Sequence, residues 1–231
     1  MKTGMALTLL WIGMSAQADA LPVDEGMCRN GGFPLEQDAF TLARVTGKPR
    51  LHFLDDMEGC PSKGEAACRQ RGYVIEGDTL IVGRAQGRYR CAFYPNDGGG
   101  SAGWVPEDRL RRLPLPTAIP LQAWAGHWQG SGDNTLDLIP NGDGTVTMNG
   151  DAYWPSANPD PEMRPGGPHL GSVTARDTPQ GNRLEVIEGG PLEEYRCKVT
   201  AHLLGDLLVV ADNSNCGGAN VSFSGVYRRT P

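Results

Sequence analysis

The sequence predicts an all-β protein made of two disulfide-stapled barrels, a small one followed by a larger up-and-down one. Three observations carry the prediction. Glycine and proline supply 50 of the 231 residues, a share that suits frequent turns and stays below that of disordered chains. Between the turn residues lie short apolar runs, spaced about 8–12 residues apart as in small barrels and sandwiches. Segment 113–120 (LPLPTAIP) holds three prolines and no charge, which denies backbone donors, favours extended chain and marks a boundary between two halves.

Residues 1–20 read as a secretory signal. Lys2 gives a positive start, 5–14 (MALTLLWIGM) is a short apolar run, and Ala18-Asp19-Ala20 offers the small residues a signal peptidase reads. The run is too short to span a bilayer. A mature chain beginning near Leu21, in the periplasm or secreted from a bacterial cell, is expected. Six cysteines follow the cleavage point, and in an exported chain an even number reads as disulfides. Four precede the Pro-rich boundary and two follow it. Separate halves pair Cys197 with Cys216; in the first half Cys60–Cys68 with Cys28–Cys91 competes with Cys60–Cys91 and Cys28–Cys68. No Cys-x-x-Cys or Cys-x-x-His spacing supports zinc.

The first half, 21–112, gives strands at 50–54, 79–83 and 89–94, each bounded by turn residues such as Glu76-Gly77-Asp78. Segment 35–45 (LEQDAFTLARV) has a helical flavour. A glycine-rich loop at 98–103 leads into Trp104-Val105, and 107–110 suits one helical turn. In the second half, 121–231, a strand begins at 124–128. Runs 135–139 and 145–148 face each other across Pro140-Asn-Gly-Asp-Gly144, hairpin turn chemistry. The second run continues through 151–154, a Pro-rich loop covers 157–168, and further strands fall at 171–175, 183–187, 195–201, 207–211 and 222–228. Roughly eight strands with hairpin-length joins fit an up-and-down barrel.

Net charge is −6 and uneven: residues 50–112 hold 10 Lys/Arg against 9 Asp/Glu, and 121–231 hold 7 against 13. An acidic second half argues against nucleic acid or anionic lipid as its partner.

With Tyr73-Val-Ile-Glu-Gly-Asp-Thr-Leu-Ile-Val82, Gly103-Trp-Val-Pro106 and Arg109-Leu110, the first half resembles bacterial SH3-like domains. That resemblance covers about residues 43–112 and implies a binding module for peptidoglycan or short peptides. Gly126-x-Trp128 resembles the first-strand signature of lipocalin- and avidin-type calyx barrels. The segment 212–228, with its Cys216-Gly-Gly218, is similar to small Cys-Gly-Gly barrels of uncharacterised periplasmic proteins. Ser224-Gly-Val-Tyr227 has a fainter similarity to membrane-bound inhibitors of C-type lysozyme, whose Lys and Thr-Lys-Gly elements are missing here.

Chemistry is sparse. Gly99-Gly-Ser101-Ala-Gly103 matches the formal nucleophile elbow, which needs a strand before the serine and a helix after it; here a glycine run precedes and a strand follows. His52, His127, His169 and His202 are scattered, and His127 is expected to be exposed. Asn141-Gly-Asp143-Gly-Thr145 lacks the terminal Glu of a calcium loop. Asp55-Asp56 and Glu193-Glu194 are adjacent, so in strands they point opposite ways. Asn220-Val-Ser222 is a sequon that a bacterial protein would leave bare. Catalytic residues, a metal and a cofactor are therefore not expected. Binding aromatics are: Tyr94 and Trp104 lining an SH3-like groove, and Tyr153 and Trp154 at a barrel mouth. The expected function is an exported non-enzymatic binding protein of the cell envelope that recognises peptidoglycan fragments or a protein partner. The alternative is an inhibitor of a lysozyme-like lytic enzyme.

Overall fold

The computed structural model describes residues 26–96, 98–116, 118–155 and 168–230. Residues 1–20, expected to be a secretory signal, and most of the Pro-rich loop expected at 157–168 lie outside the described residues. The chain is all-β, with fifteen strands in two sheets among the described residues.

The first sheet holds β1 (Thr41–Val45), β2 (Leu51–Leu54), β3 (Arg69–Val74), β4 (Thr79–Gln86), β5 (Tyr89–Tyr94), β6 (Ser101–Pro106) and β7 (Leu110–Leu113), in the order β3-β2-β6-β5-β4-β1-β7. A short helix α1 (Glu65–Cys68) precedes β3, and a 3-10 turn (Glu107–Arg109) precedes β7. One face buries Ala43, Val45, Phe53, Leu80, Val82, Ala92 and Val105. The other buries Leu54, Ile81, Cys91, Ala102 and Trp104. This two-sided burial explains the unbroken apolar run Leu80-Ile81-Val82, since alternation is needed only where one face meets water.

The cover on that second face comes from two places. Residues 28–40 lie across it as a strap. Cys28–Cys91 fastens the strap, Asn30 Oδ1 accepts from the Ala102 N–H at 2.7 Å, and Phe33 packs on Phe93 with ring centroids 5.3 Å apart. The helical expectation for 35–45 is wrong: 35–40 is irregular and 41–45 is β1. Strand pairing on both sides and burial of Ala43 and Val45 override a weak local propensity.

The second sheet is a nearly closed up-and-down barrel. Its strands are β8 (Gly126–Gln129), β9 (Thr135–Pro140), β10 (Val146–Trp154), β11 (His169–Asp177), β12 (Arg183–Glu188), β13 (Cys197–Leu204), β14 (Leu207–Asp212) and β15 (Gly225–Arg229). Each pairs with the next except β11 with β12, and β15 returns to pair with β8. Period-2 alternation turns Trp128, Leu136, Leu138, Val146, Met148, Val173, Leu184, Val186, Val199, Leu208, Val210 and Tyr227 inward, and these side chains fill the interior. Gly150 is required there, because a Cβ would meet Leu136 at 2.5 Å and Phe223 at 2.8 Å.

A 3-10 turn (Leu121–Trp124) closes one end with the buried Trp124. Trp128 Nε1 donates to the Trp124 carbonyl at 3.3 Å. From the last strand, the Arg229 guanidinium lies 4.2 Å from the Trp128 ring centroid and donates to the carbonyls of Ala123 and Ala125. The first and last strands are thereby locked together.

The barrel's outer face at β13 and β14 packs on the first sheet and its strap. Leu204 and Val209 share one buried cluster with Phe33, Phe40 and Ile81. The Pro-rich connection is anchored by Leu115 in that cluster and by Ile119 on the barrel core. Three disulfides form: Cys28–Cys91, Cys60–Cys68 and Cys197–Cys216. They are consistent with a protein outside the cytoplasm, and no helix among the described residues is long and apolar enough to cross a membrane.

Candidate functional site

The barrel's two ends differ. At the Trp124 end the strand joins are tight turns at 141–145, 178–182 and 205–206. Asn141-Gly-Asp143-Gly-Thr145 is one of them: Asp143 Oδ1 accepts from the Thr145 hydroxyl and N–H at 2.7 and 3.1 Å. Those bonds hold the Asp143 carboxyl below its ordinary value, so the turn spends its acidic oxygens on itself. At the other end three of the four joins are long, 155–168, 189–196 and 213–224, and only 130–134 is as short as the turns opposite.

Loop 213–224 crosses this end as a lid. Val221 and Phe223 are buried beneath it in the barrel core. Asp212 orders the lid, accepting from the N–H of Phe223 at 2.6 Å and of Ser214 at 3.1 Å, and from the Ser222 and Ser224 hydroxyls at 3.1 and 3.3 Å. The Tyr227 hydroxyl donates to the Phe223 carbonyl at 2.8 Å, and burial first, then the nearby Asp212 carboxylate, raises its pKa far above that of a free phenol. Asn134 ties lid to strands: its Nδ2 donates to the Ser222 carbonyl at 2.8 Å and its Oδ1 accepts from the Tyr153 N–H at 3.0 Å. The Cys216-Gly-Gly218 stretch lies against β11, with Gly218 N–H donating to the Leu170 carbonyl at 3.1 Å. Only glycines fit that crossing, because a Cβ on Gly171 would stand 2.3 Å from the Cys216 carbonyl oxygen.

Around the lid, large apolar side chains remain open to solvent. Leu192 is 99% exposed, Tyr195 73% and Leu170 68%, with Trp154 and Tyr153 also exposed. Tyr153 sits opposite Leu170, and Trp154 opposite His169, on paired strands. A pocket of about 530 Å³ runs along Asp133, Asp151, Tyr153, Leu170, Ser172 and Cys216. Loop 189–196 is held at its base by the Cys197–Cys216 disulfide and by Asn213, which accepts from Lys198 N–H at 3.0 Å and donates to the Arg196 carbonyl at 2.9 Å. Asp133, Asp151, Glu193 and Glu194 form no ion pair with any described residue. A rigid, lidded frame thus presents aromatic and aliphatic tips among open carboxylates.

Of the sequence-predicted binding aromatics, Tyr153 and Trp154 both lie at this end but on opposite faces of β10, Tyr153 beside Leu170 on the outer face and Trp154 beside His169. Tyr94 and Trp104 do not form a groove. Trp104 pairs with Cys91, three residues from Tyr94, so the two rings point to opposite faces. Trp104 is completely buried under the strap and cannot offer a ring to a ligand. Leu192 and Tyr195 escaped sequence reasoning, which placed the start of a strand at Tyr195; the Gly189-Gly-Pro191 run before them was the available signal.

The remaining chemical candidates are dispersed. Ser101 opens β6 and its hydroxyl accepts from Asn96 Nδ2 at 3.3 Å. His52 contacts the Gln70 carbonyl, His127 is exposed and contacts Asp137, His169 contacts the Ala219 carbonyl, and His202 is buried. Among the described residues no group of three His, Cys, Asp or Glu side chains gathers to hold a metal ion. Compared with family models, curated proteins and solved structures, the chain matches none.

Proposed function

We propose that this chain is an exported, non-enzymatic binding protein of the bacterial cell envelope, which recognises a protein partner through the long-loop end of its second barrel. The observation that carries the reading is the set Leu192, Tyr195, Leu170, Trp154 and Tyr153, solvent-open beside carboxylates with no described ion partner. Exposed apolar patches on a rigid frame mark interaction sites, and Tyr and Trp dominate binding hot spots. The carboxylates select a partner with a cationic rim. A basic lysozyme-like lytic enzyme has that chemistry, which keeps the inhibitor reading within the same site. Export rests on the signal-like residues 1–20 and the three disulfides.

A second reading has its own observation. The pocket of about 530 Å³ sets the ring of Tyr153 beside Asp133, Asp151 and Ser172, a combination that stacks on a sugar face and accepts from its hydroxyls. A cell-wall glycopeptide would suit it, as the SH3-like resemblance of the first half also implies.

Pull-down of the disulfide-formed chain on purified lysozyme and, in parallel, on peptidoglycan tests both. Retention on lysozyme that Leu192→Asp with Tyr195→Ala abolishes supports the protein reading. Retention on peptidoglycan that only Tyr153→Ala abolishes supports the second. Binding that survives all three substitutions removes the site from the long-loop end.

A further inference from the structure

Among the described residues His202 is the one buried histidine, with 2% of its surface exposed, and neither ring nitrogen meets a partner in good hydrogen-bond geometry, although the Gln37 backbone of the strap stands near enough to favour its charged form. Its position explains why that matters. On β13 the residues at 197, 199, 201 and 203 face the barrel interior, so His202 faces outward with Leu204. It is buried because the first sheet's strap covers it: the Phe40 ring stands edge-on to the imidazole, centroids 5.2 Å apart. His202 therefore belongs neither to the barrel's core nor to the interior of the first sheet. It sits in the seam between them.

We propose that His202 makes this seam acid-sensitive: protonation of its ring releases the first sheet and strap from the outer face of the barrel, while the first sheet and the barrel each stay folded. The inference is independent of the binding site argued above.

The surroundings set the direction. On β12, Arg183 lies directly opposite His202 and is engaged by Glu185; on β14 the opposite residue is the apolar Val209. The strap contributes the Gln37 backbone and the Asp38 carboxylate, and Lys198 lies farther along the same outer face, in the cleft that Asp38 and Arg183 also line. Burial first, then the Arg183 charge, holds the imidazole below its ordinary pKa of about 6.5, and Gln37 and Asp38 offset this only in part. The neutral ring is favoured in the closed seam. Opening the seam hydrates the ring and restores its ordinary pKa, so the open form binds the extra proton. Seam stability is fully present above about pH 6.5 and falls as pH drops toward the closed-state pKa. With one proton taken up, the opening constant rises about tenfold per pH unit in that window.

Unfolding a barrel is not needed to hydrate this ring, because the barrel interior lies on the other side of β13. The strap leaves with the first sheet, held by Cys28–Cys91, and segment 114–120 remains as the covalent tether.

Hydroxyl-radical footprinting of the full disulfide-formed chain between pH 7.5 and 4.5 tests this. Oxidation of Phe40 and Leu204 should rise as pH falls below about 6.5, approaching tenfold per pH unit and levelling off at the closed-state pKa, with Trp128 and Phe223 protected throughout, and His202→Leu should abolish the rise. The proposal is overturned by a flat wild-type profile, by an equal rise in His202→Leu, or by exposure of Trp128 together with Phe40. Should the variant not fold, a wild-type NMR titration decides. A His202 ring that titrates at or above 6.5 with the seam closed overturns the proposal; titration that tracks Phe40 exposure supports it.

Discussion

Removing the Arg229 side chain should open the barrel at its closing seam. The guanidinium does three things there. It lies 4.2 Å from the Trp128 ring centroid, it donates to the carbonyls of Ala123 and Ala125, and it stands 3.4 Å from Asp206. A partly desolvated cation–π contact contributes about 1–2 kcal/mol. Two hydrogen bonds from a charged donor to carbonyls that close a barrel end contribute about 1–1.5 kcal/mol each. The Asp206 side chain is 89% exposed, so that pair adds little. Arg229→Ala should therefore cost about 3–5 kcal/mol. Arg229→Lys keeps a cation near the ring but loses the fork, and should cost about half as much; Asp206→Ala should cost under about 0.5 kcal/mol. In urea, with a slope of about 2 kcal/mol/M, the midpoint for Arg229→Ala should fall by about 1.5–2.5 M. A drop below about 0.5 M, or a Lys variant as stable as wild type, would refute the assignment of barrel closure to this residue.

Three further outcomes follow from the lid and the staples. Asn134→Ala removes both bonds that tie the lid to the strands and should cost about 2 kcal/mol in chemical denaturation, with faster hydrogen exchange in 213–224. Gly171→Ala forces a Cβ into the Cys216 carbonyl; it should destabilise by about 2–4 kcal/mol, whereas Gly142→Ala, in open space, should change stability by less than about 1 kcal/mol. Removing the disulfides singly as Cys→Ala pairs should rank by loop length, with separations of 63, 19 and 8 residues. That gives about 4 kcal/mol for Cys28–Cys91, about 3 for Cys197–Cys216 and about 2.5 for Cys60–Cys68; a reversed order in thermal unfolding would contradict it.

Local chemistry made much of this architecture legible in the sequence. The hairpin of β9 and β10 was readable because alternation and Asn-Gly turn chemistry agree over a span of twenty residues. Strand 89–94 was readable from its alternation, and 79–83 from an unbroken apolar run directly after the Glu76-Gly77-Asp78 turn. What failed depended on contacts distant in sequence. Trp104 looks like a groove aromatic until Cys28, 63 residues before its partner, draws a strap across it. Segment 35–45 looks helical by residue type, yet β4 and β7 claim its second half for pairing. His202 would point to solvent by strand alternation alone; the first sheet buries it. Tyr153 and Trp154 were visible as exposed aromatics because a proline follows them and ends the strand. Leu192 and Tyr195 were not, since an apolar pair before a strand resembles the strand itself.

On the proposed function, recognition resides at the long-loop end of the barrel. The most direct test maps amide shifts of the isotope-labelled, disulfide-formed chain during titration with purified lysozyme and, separately, with soluble muropeptides. At least one of them should shift residues in 130–134, 189–196 and 213–224, and Leu192→Asp with Tyr195→Ala should weaken the lysozyme response at least about 30-fold, the effect of losing one hot-spot residue of about 2 kcal/mol. Shifts confined to β1–β7 or to the tight-turn end, or no shift from either titrant, would contradict that reading.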